Sequence, residues 1–161
     1  MTPMTANKPE LYRELLAQLK ALLAAEADRV ANAANMAALI YHGLPDLNWA
    51  GFYFRQGGEL VLGPFQGKPA CVRIALGNGV CGTAASRGAT VLVRDVHHFP
   101  GHIACDPTSR SELVVPMIEH GEVSGVLDLD SPLVGRFDEA DRAGCERLVA
   151  LFVDHHRQHS G

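Results

Sequence analysis

Three cysteines and three carboxylates are the residues of this chain whose types and spacing could do chemistry. The cysteines, in the segments PACVRI, GNGVCGTAA and HIACDPTSRSE, are Cys71, Cys81 and Cys105. The carboxylates that follow them along the chain are Glu112, Asp128 and Asp130. Thiols can exchange electrons, and carboxylates can bind a cation or donate a proton to a small polar substrate. The combination therefore predicts redox chemistry on a small cationic molecule.

Neither a metal nor another cofactor is expected. The three cysteines are ten and twenty-four residues apart, so they lack the paired Cys-x2-Cys knuckle that is typical of zinc sites. The histidines of the His97–His102 segment fit solvated loop residues better than metal ligands. The glycine-rich GNGV segment lacks the Lys-Ser/Thr pair of a nucleotide-binding loop.

Length and composition predict a single globular domain. The chain has 161 residues, of which 47% are apolar and 20% charged, and this is ordinary for a globular protein. We expect one domain over residues 8–161, preceded by a disordered or frayed tail over residues 1–7. The formal net charge of −4 gives no basic surface for nucleic acid.

The chain is expected to work in the cytoplasm and not at a membrane. No apolar run approaches the roughly twenty residues of a membrane span. The N-terminal segment MTPMTANKPE lacks the charged-then-apolar pattern of an export signal. In a reducing cytosol, cysteines are more often catalytic or inert than joined in structural disulfides.

The spacing of apolar residues along the chain predicts the helices and strands that must position these residues. Leucines at three- and four-residue spacing predict a helix from Pro9 onward, and the alanine-rich stretch 29–42 predicts a second helix. Aromatic and branched residues around Gly57-Gly58 predict a hairpin of strands 48–56 and 59–64. A short strand at 72–75 and a small-residue helix at 79–87 follow.

The second half of the chain repeats the pattern of strands closed by a helix. We predict a short strand at 90–93, a long loop over 94–110, and a hairpin of strands 112–119 and 122–130. Asp138, with Asp141 three residues on, predicts a capped N-terminus for a final helix. Helices at both ends of a mostly antiparallel sheet make an α+β architecture.

Six segments, in order and at consistent spacing, resemble the free methionine-(R)-sulfoxide reductases, which are stand-alone GAF-domain enzymes. The segments are NWAGFYF, GPFQGKPACVRI, GNGVCGTAA, HIACDPTSRSELVVP, GVLDLDSP and GRFDEAD. The resemblance covers roughly residues 10–155. It implies a GAF-like fold with a central, mostly antiparallel six-stranded sheet and the N- and C-terminal helices on one face. It also implies a ligand pocket on the other face, under the Cys105 loop.

The resemblance implies roles for the cysteines in reducing a sulfoxide. A thiolate attacks the sulfur while the oxygen is protonated, and a second thiol converts the resulting sulfenic acid to a disulfide. Cys105 would be the attacking thiol. Cys71 is the first choice as resolving thiol, with Cys81 as an alternative or second one, unless Cys81 is only a buried small residue. Cys145, in the last predicted helix, is expected to be inert.

Asp128 and Asp130 are two residues apart on a predicted strand, so they share one face of the sheet. Two such carboxylates repel unless a cation lies between them or one carries a proton. The ammonium of a free amino acid would supply the cation, which a peptide-bound methionine lacks. The alternative is a solvated strand end. Glu112 could protonate the sulfoxide oxygen, alone or with Asp130.

Trp49 and Tyr53 are four residues apart on a predicted strand and therefore share a face. The resemblance implies that they form an apolar wall for the methyl and thioether end of the substrate. The alternative is that both are ordinary core aromatics.

The expected partners follow from this interpretation. They are free methionine (R)-sulfoxide, thioredoxin or a similar dithiol as reductant, and a second copy of the chain in a possible homodimer. Two other functions remain open: a GAF-type module that binds a small ligand, or a cysteine redox sensor. Both predict no turnover of free methionine sulfoxide.

Overall fold

The computed structural model describes residues 7–103 and 105–159. Within these residues the helices are α1 (Lys8–Ala24), α2 (Arg29–Gly43), α3 (Gly79–Arg87) and α4 (Glu139–His159). The strands are β1 (Trp49–Gln56), β2 (Glu59–Gly67), β3 (Arg73–Ala75), β4 (Val91–Val93), β5 (Ser111–Glu119) and β6 (Glu122–Ser131). Residues 1–6 of the predicted tail lie outside the described residues, and the domain bounds stay a prediction.

The strands form one six-stranded sheet in the order β3-β2-β1-β6-β5-β4. Each neighbouring pair in the described sheet is antiparallel. The predicted α+β class with a central antiparallel sheet is therefore confirmed. Because β1 pairs with β6, residues as far apart in the sequence as Trp49 and Asp130 become neighbours at the centre of the sheet.

Polar caps fix where the helices begin. The Asn7 side chain accepts a hydrogen bond from the Glu10 backbone N–H at the start of α1. At the start of α4, Asp138 accepts from the Asp141 N–H, and its own N–H donates to the Asp141 carboxylate. This reciprocal pair confirms the predicted capped N-terminus.

Helices α1, α2 and α4 lie on one side of the sheet and enclose the main core. Phe52, Leu127 and Leu129 of the central strands are fully buried there, together with Phe152 of α4. The opposite face carries a second buried cluster, in which α3 packs against β5 and β6. The described helices include none that is both long enough and apolar enough to cross a membrane.

Strand β2 continues three residues past the predicted end at Pro64. Its pairing with β1 jumps from Tyr53↔Leu62 to Gly51↔Phe65, so Gly63 and Pro64 form a bulge opposite Phe52. A bulge tolerates a proline that has no N–H to give to the ladder, and the strand can resume beyond it. The predicted loop 94–110 also contains a short 3-10 helix, Val96–His98.

Candidate active site

The register of the central strands brings the predicted acids and aromatics to one face of the sheet. Asp130 lies opposite Glu112 on one side and Trp49 on the other. Residues that pair directly across antiparallel strands point to the same face, and so do residues two apart on one strand. Asp128 and Tyr53 therefore join the same face. It is the face covered by α3 and the loop 94–110.

This face forms the floor of a cavity of about 40 Å³. Seven of the eight predicted site residues line it: Trp49, Tyr53, Cys81, Cys105, Glu112, Asp128 and Asp130. The eighth, Cys71, is outside the lining but is bonded to Cys105. The structure thus brings together every residue that the sequence singled out as a candidate.

Cys71 and Cys105 form a disulfide between segments 34 residues apart in sequence, with a Cα–Cα distance of 5.6 Å. Cys71 lies between β2 and β3, and its backbone carbonyl accepts a 2.8 Å hydrogen bond from the Tyr53 hydroxyl. Cys105 lies in the loop that covers the cavity. The bond joins the two cysteines for which the sequence predicts attack and resolution, and their redox roles stay predictions.

Cys81 is a free, buried thiol in the first turn of α3. Its Sγ lies 3.9 Å from Oε2 of Glu112. Burial raises the pKa of the Cys81 thiol well above its ordinary value, and the carboxylates of Asp128 and Glu112 raise it further. The thiol is therefore protonated in this state and is a poor nucleophile.

The three carboxyl groups lie close together and are largely buried. Glu112 is 6% exposed and Asp128 is 5% exposed. Burial raises the pKa of Glu112 and of Asp130 well above their ordinary values, and the nearby charge of Asp128 adds to both. Burial also raises the pKa of Asp128. Oδ1 of Asp128 is buried and has no hydrogen-bond partner among the described residues.

One ligand atom from each of Cys81, Glu112 and Asp128 lies within 4.8 Å of the others, which is close enough for the three to bind one metal ion. The donor set is one thiol and two carboxylates, all buried. It is the same group of atoms that faces the cavity, so an organic cation and a metal ion would compete for it. The expectation that no metal is required stays a prediction.

The aromatic residues form one wall of the cavity. The Trp49 and Tyr53 rings stack with centroids 6.0 Å apart, and Phe65 of β2 stacks on Trp49 at 5.1 Å. The indole N–H of Trp49 donates to the carbonyl of Lys68. Each ring thus has its polar atom bonded to the segment that leads to Cys71, while both residues line the cavity.

The covering loop supplies residues that the sequence did not single out as site residues. Nε2 of His102 lies 3.9 Å from Oε1 of Glu112. Ile103 and Ser109 also line the cavity. Asn48, just before β1, donates to the Asp106 carboxylate at 3.0 Å and so fastens the loop to the sheet. In the sequence, the only indication of this Asn48–Asp106 contact is that Asn48 directly precedes Trp49.

Helix α3 meets the loop at its first residue. Gly79 has a φ of +63°, and a Cβ there would lie 3.1 Å from the side chain of Ile103. Asn78 at the cap makes no side-chain hydrogen bond to the helix. The start of α3, which lines the cavity at residues 78–80, therefore presents backbone N–H groups near it.

Comparison with known proteins places this geometry in a family. The sequence profile of the GAF domain matches residues 10–154. The chain is 55% identical to Protein YtsP of Bacillus subtilis over 93% of its length and 91% of that protein. It is 51% identical to the free methionine-R-sulfoxide reductase of Escherichia coli over 89% of its length and 87% of that protein.

A solved structure extends the likeness to three dimensions. The X-ray structure of free methionine-R-sulfoxide reductase from Neisseria meningitidis, in complex with its substrate, superposes with a TM-score of 0.91. That protein is 45% identical, and the match covers 94% of this chain and 92% of the other. The chain belongs to the GAF domain family and, within it, to the free methionine-R-sulfoxide reductases, which are oxidoreductases.

Proposed function

We propose that the protein reduces free L-methionine (R)-sulfoxide to L-methionine by thiol chemistry at Cys105. The observation that carries the proposal is the position of Cys105, which lines an acidic cavity and is bonded to a second cysteine just outside it. The names of the relatives support the substrate. The residue roles rest on the contacts described above.

The chemistry has two steps. The Cys105 thiolate attacks the sulfoxide sulfur, the oxygen is protonated, and methionine leaves while Cys105 becomes a sulfenic acid. The Cys71 thiol then attacks the sulfenic sulfur and expels the oxygen as water, which leaves the Cys71–Cys105 disulfide. Two electrons thus pass from two thiols to the sulfoxide.

Glu112 is suited to supply the proton. Its pKa is raised by burial and by its acidic neighbours, and this favours the protonated form of the group. It lies on the same wall of the cavity as Asp130, its cross-strand neighbour. A protonated carboxyl here can donate to the sulfoxide oxygen as negative charge develops on it.

The rest of the cavity fits a free amino acid. The ammonium would bind Asp128 and Asp130 and would supply a partner for the unpaired Oδ1 of Asp128. The thioether end would lie against Trp49 and Tyr53. The substrate carboxylate would accept hydrogen bonds from backbone N–H groups at the start of α3.

Regeneration requires a dithiol, and thioredoxin or a similar protein is the expected reductant. It would return the Cys71–Cys105 bond to two thiols by exchange. A homodimer and a cytoplasmic location remain predictions from the sequence.

The nucleophile is tested by single turnover. With enzyme in excess over free methionine (R)-sulfoxide, Cys105→Ser should form no methionine, because no other thiol makes the first bond to sulfur. Cys145→Ser is the matched control, since burial raises the pKa of Cys145 to about 12 and it lies in α4 away from the cavity. A normal yield from Cys105→Ser would move the nucleophile to Cys71 or Cys81.

The resolving thiol gives a different kinetic pattern. Cys71→Ser should release about one methionine per site and then stall with thioredoxin, because the thiol proposed to condense with the sulfenic acid is missing. Dithiothreitol, which is small enough to reach the sulfenic acid, should restore turnover. If Cys71→Ser turns over normally and Cys81→Ser stalls, Cys81 is the resolving residue. If the wild type makes no methionine with any reductant, the protein is a binding module or a redox sensor.

A further inference from the structure

The two sulfurs of the Cys71–Cys105 bond have different surroundings. Cys105 lines the cavity, and Cys71 does not. Cys105 belongs to the covering loop, where its backbone N–H donates to the carbonyl of Ile103. Cys71 belongs to a segment at the edge of the sheet between β2 and β3, and its neighbour Val72 is 59% exposed. The bond thus joins the cavity wall to a half-buried cysteine at the edge of the sheet.

Thiol–disulfide exchange requires a thiolate to approach one sulfur from the side opposite the other sulfur. Cys105 lines the cavity under the covering loop, so a thiolate that attacks it would have to reach the wall of the cavity. The cavity can admit a small molecule but not the surface of a protein. Cys71 does not line the cavity and lies next to the exposed Val72, so a protein surface can approach it more directly.

Exposed apolar side chains flank the bond on both segments. Val72 is next to Cys71, and Ile103, which is 37% exposed, is two residues before Cys105. Large apolar residues exposed next to a reactive bond are typical of a surface that a partner covers during reaction. We call Val72 and Ile103 the apolar rim.

We infer that a protein dithiol docks on the apolar rim and attacks the sulfur of Cys71, so that Cys105 is the leaving group. This inference rests on the proposed function. The partner's thiolate forms a bond to Cys71 Sγ, the Cys71–Cys105 bond breaks, and Cys105 departs as a thiolate in the cavity. The partner's second thiol then displaces Cys71, which takes a proton from solvent, and the partner is oxidised.

The order in which the two cysteines are freed determines which thiol is available first for the next turnover. Cys105 becomes a thiolate at the cavity wall in the first exchange, while Cys71 is still bound to the partner. The attacking thiol is therefore regenerated first and the resolving thiol second. Attack at Cys105 would instead leave the cavity thiol blocked by the partner until the last step.

The first test identifies the attacked sulfur. The oxidised wild-type protein is mixed with a thioredoxin whose second active-site cysteine is replaced by serine, and free thiols are then alkylated rapidly with iodoacetamide. Peptide mapping should find thioredoxin on Cys71 and the alkyl group on Cys105. Thioredoxin on Cys105 with alkylated Cys71 would overturn the inference. This readout needs no substrate, so it stands apart from whether methionine is formed.

The second test separates docking from chemistry. Val72→Glu should raise the KM for thioredoxin by about fivefold or more, since a charge replaces an apolar contact at the docking surface. Turnover with dithiothreitol should be unchanged, because a small thiol needs no docking surface. Val30→Glu is the matched control: Val30 is 62% exposed and lies on α2, across the sheet from the cavity.

Two results of the second test would overturn the docking surface. One is an unchanged KM for thioredoxin in Val72→Glu. The other is an equal loss with thioredoxin and dithiothreitol, which would place the effect on the bond itself. A wild-type protein that makes no methionine with dithiothreitol contradicts the proposed function instead.

Discussion

Asp128 is the residue whose surroundings say most about the ligand. Its carboxyl group is buried, and one oxygen has no partner among the described residues. A buried, unpaired polar atom costs about 1–3 kcal/mol. With Glu112 and Asp130 beside it, a cation is the partner that would satisfy the group and relieve the repulsion at the same time.

Selectivity for the free amino acid should depend on this charge. We expect Asp128→Asn or Asp130→Asn to lower kcat/KM for free methionine (R)-sulfoxide at least about tenfold, which corresponds to ~1.4 kcal/mol. N-acetylmethionine sulfoxide, which has no ammonium, should be a poor substrate of the wild type. The measurement is kcat/KM for both substrates on the wild type and on each variant.

Glu122→Gln provides the control, because Glu122 is an exposed acid at the other end of β6. It should leave the ratio of the two substrates unchanged. Equal wild-type rates on the free and N-acetylated sulfoxides would show that the acidic pair does not select the free amino acid.

At the scale of elements, local pattern predicted the strands and helices to within a few residues. The period of two along β6 correctly put Asp128 and Asp130 on one face. Periodicity within a strand does not say which strand lies beside it, because pairing depends on the packing of the whole sheet. That β1 lies between β2 and β6, and that Trp49 therefore neighbours Asp130, came only from the structure.

The cysteines show the same difference between what the sequence predicts and what only the structure shows. Their local settings marked Cys71, Cys81 and Cys105 as candidates but left the choice between Cys71 and Cys81 open. The structure bonds Cys71 to Cys105 and holds Cys81 in the first turn of α3 near Glu112. Cys81 is placed by the backbone hydrogen bonds that begin α3. Cys71 and Cys105 are instead placed by the meeting of two segments that are distant in the sequence. Spacing along the chain carries no information about that meeting.

At the scale of the whole molecule, the acidic cluster should make stability depend on pH. The pKa values of Glu112, Asp128 and Asp130 are raised by burial, so the folded protein binds more protons than the unfolded chain above about pH 4. The free energy of unfolding must therefore fall as the pH rises from about 4 through the folded pKa values. The acids with lowered pKa values, such as Glu119, act only below this window.

Glu112→Gln tests this dependence in the ligand-free, oxidised protein. It should raise the free energy of unfolding at pH 8 by about 1 kcal/mol, or roughly 2–4 °C in Tm, and should flatten the fall between pH 5 and 8. Thermal unfolding across that range measures both effects. The difference between the two proteins reports Glu112 together with the groups that face it, among them His102 at 3.9 Å. Identical pH profiles would show that the burial of Glu112 does not lower the free energy of unfolding as the pH rises.

The 34-residue span between the bonded cysteines has a consequence for the resting enzyme. A cross-link of that span removes conformational freedom from the unfolded chain worth roughly 4 kcal/mol in the chain-entropy description. In the proposed catalytic cycle, which makes and breaks this bond, the free energy of unfolding would rise and fall with it. Without reductant the protein would stay in its more stable, cross-linked form, and it would be more open to proteolysis when reductant keeps the two cysteines reduced.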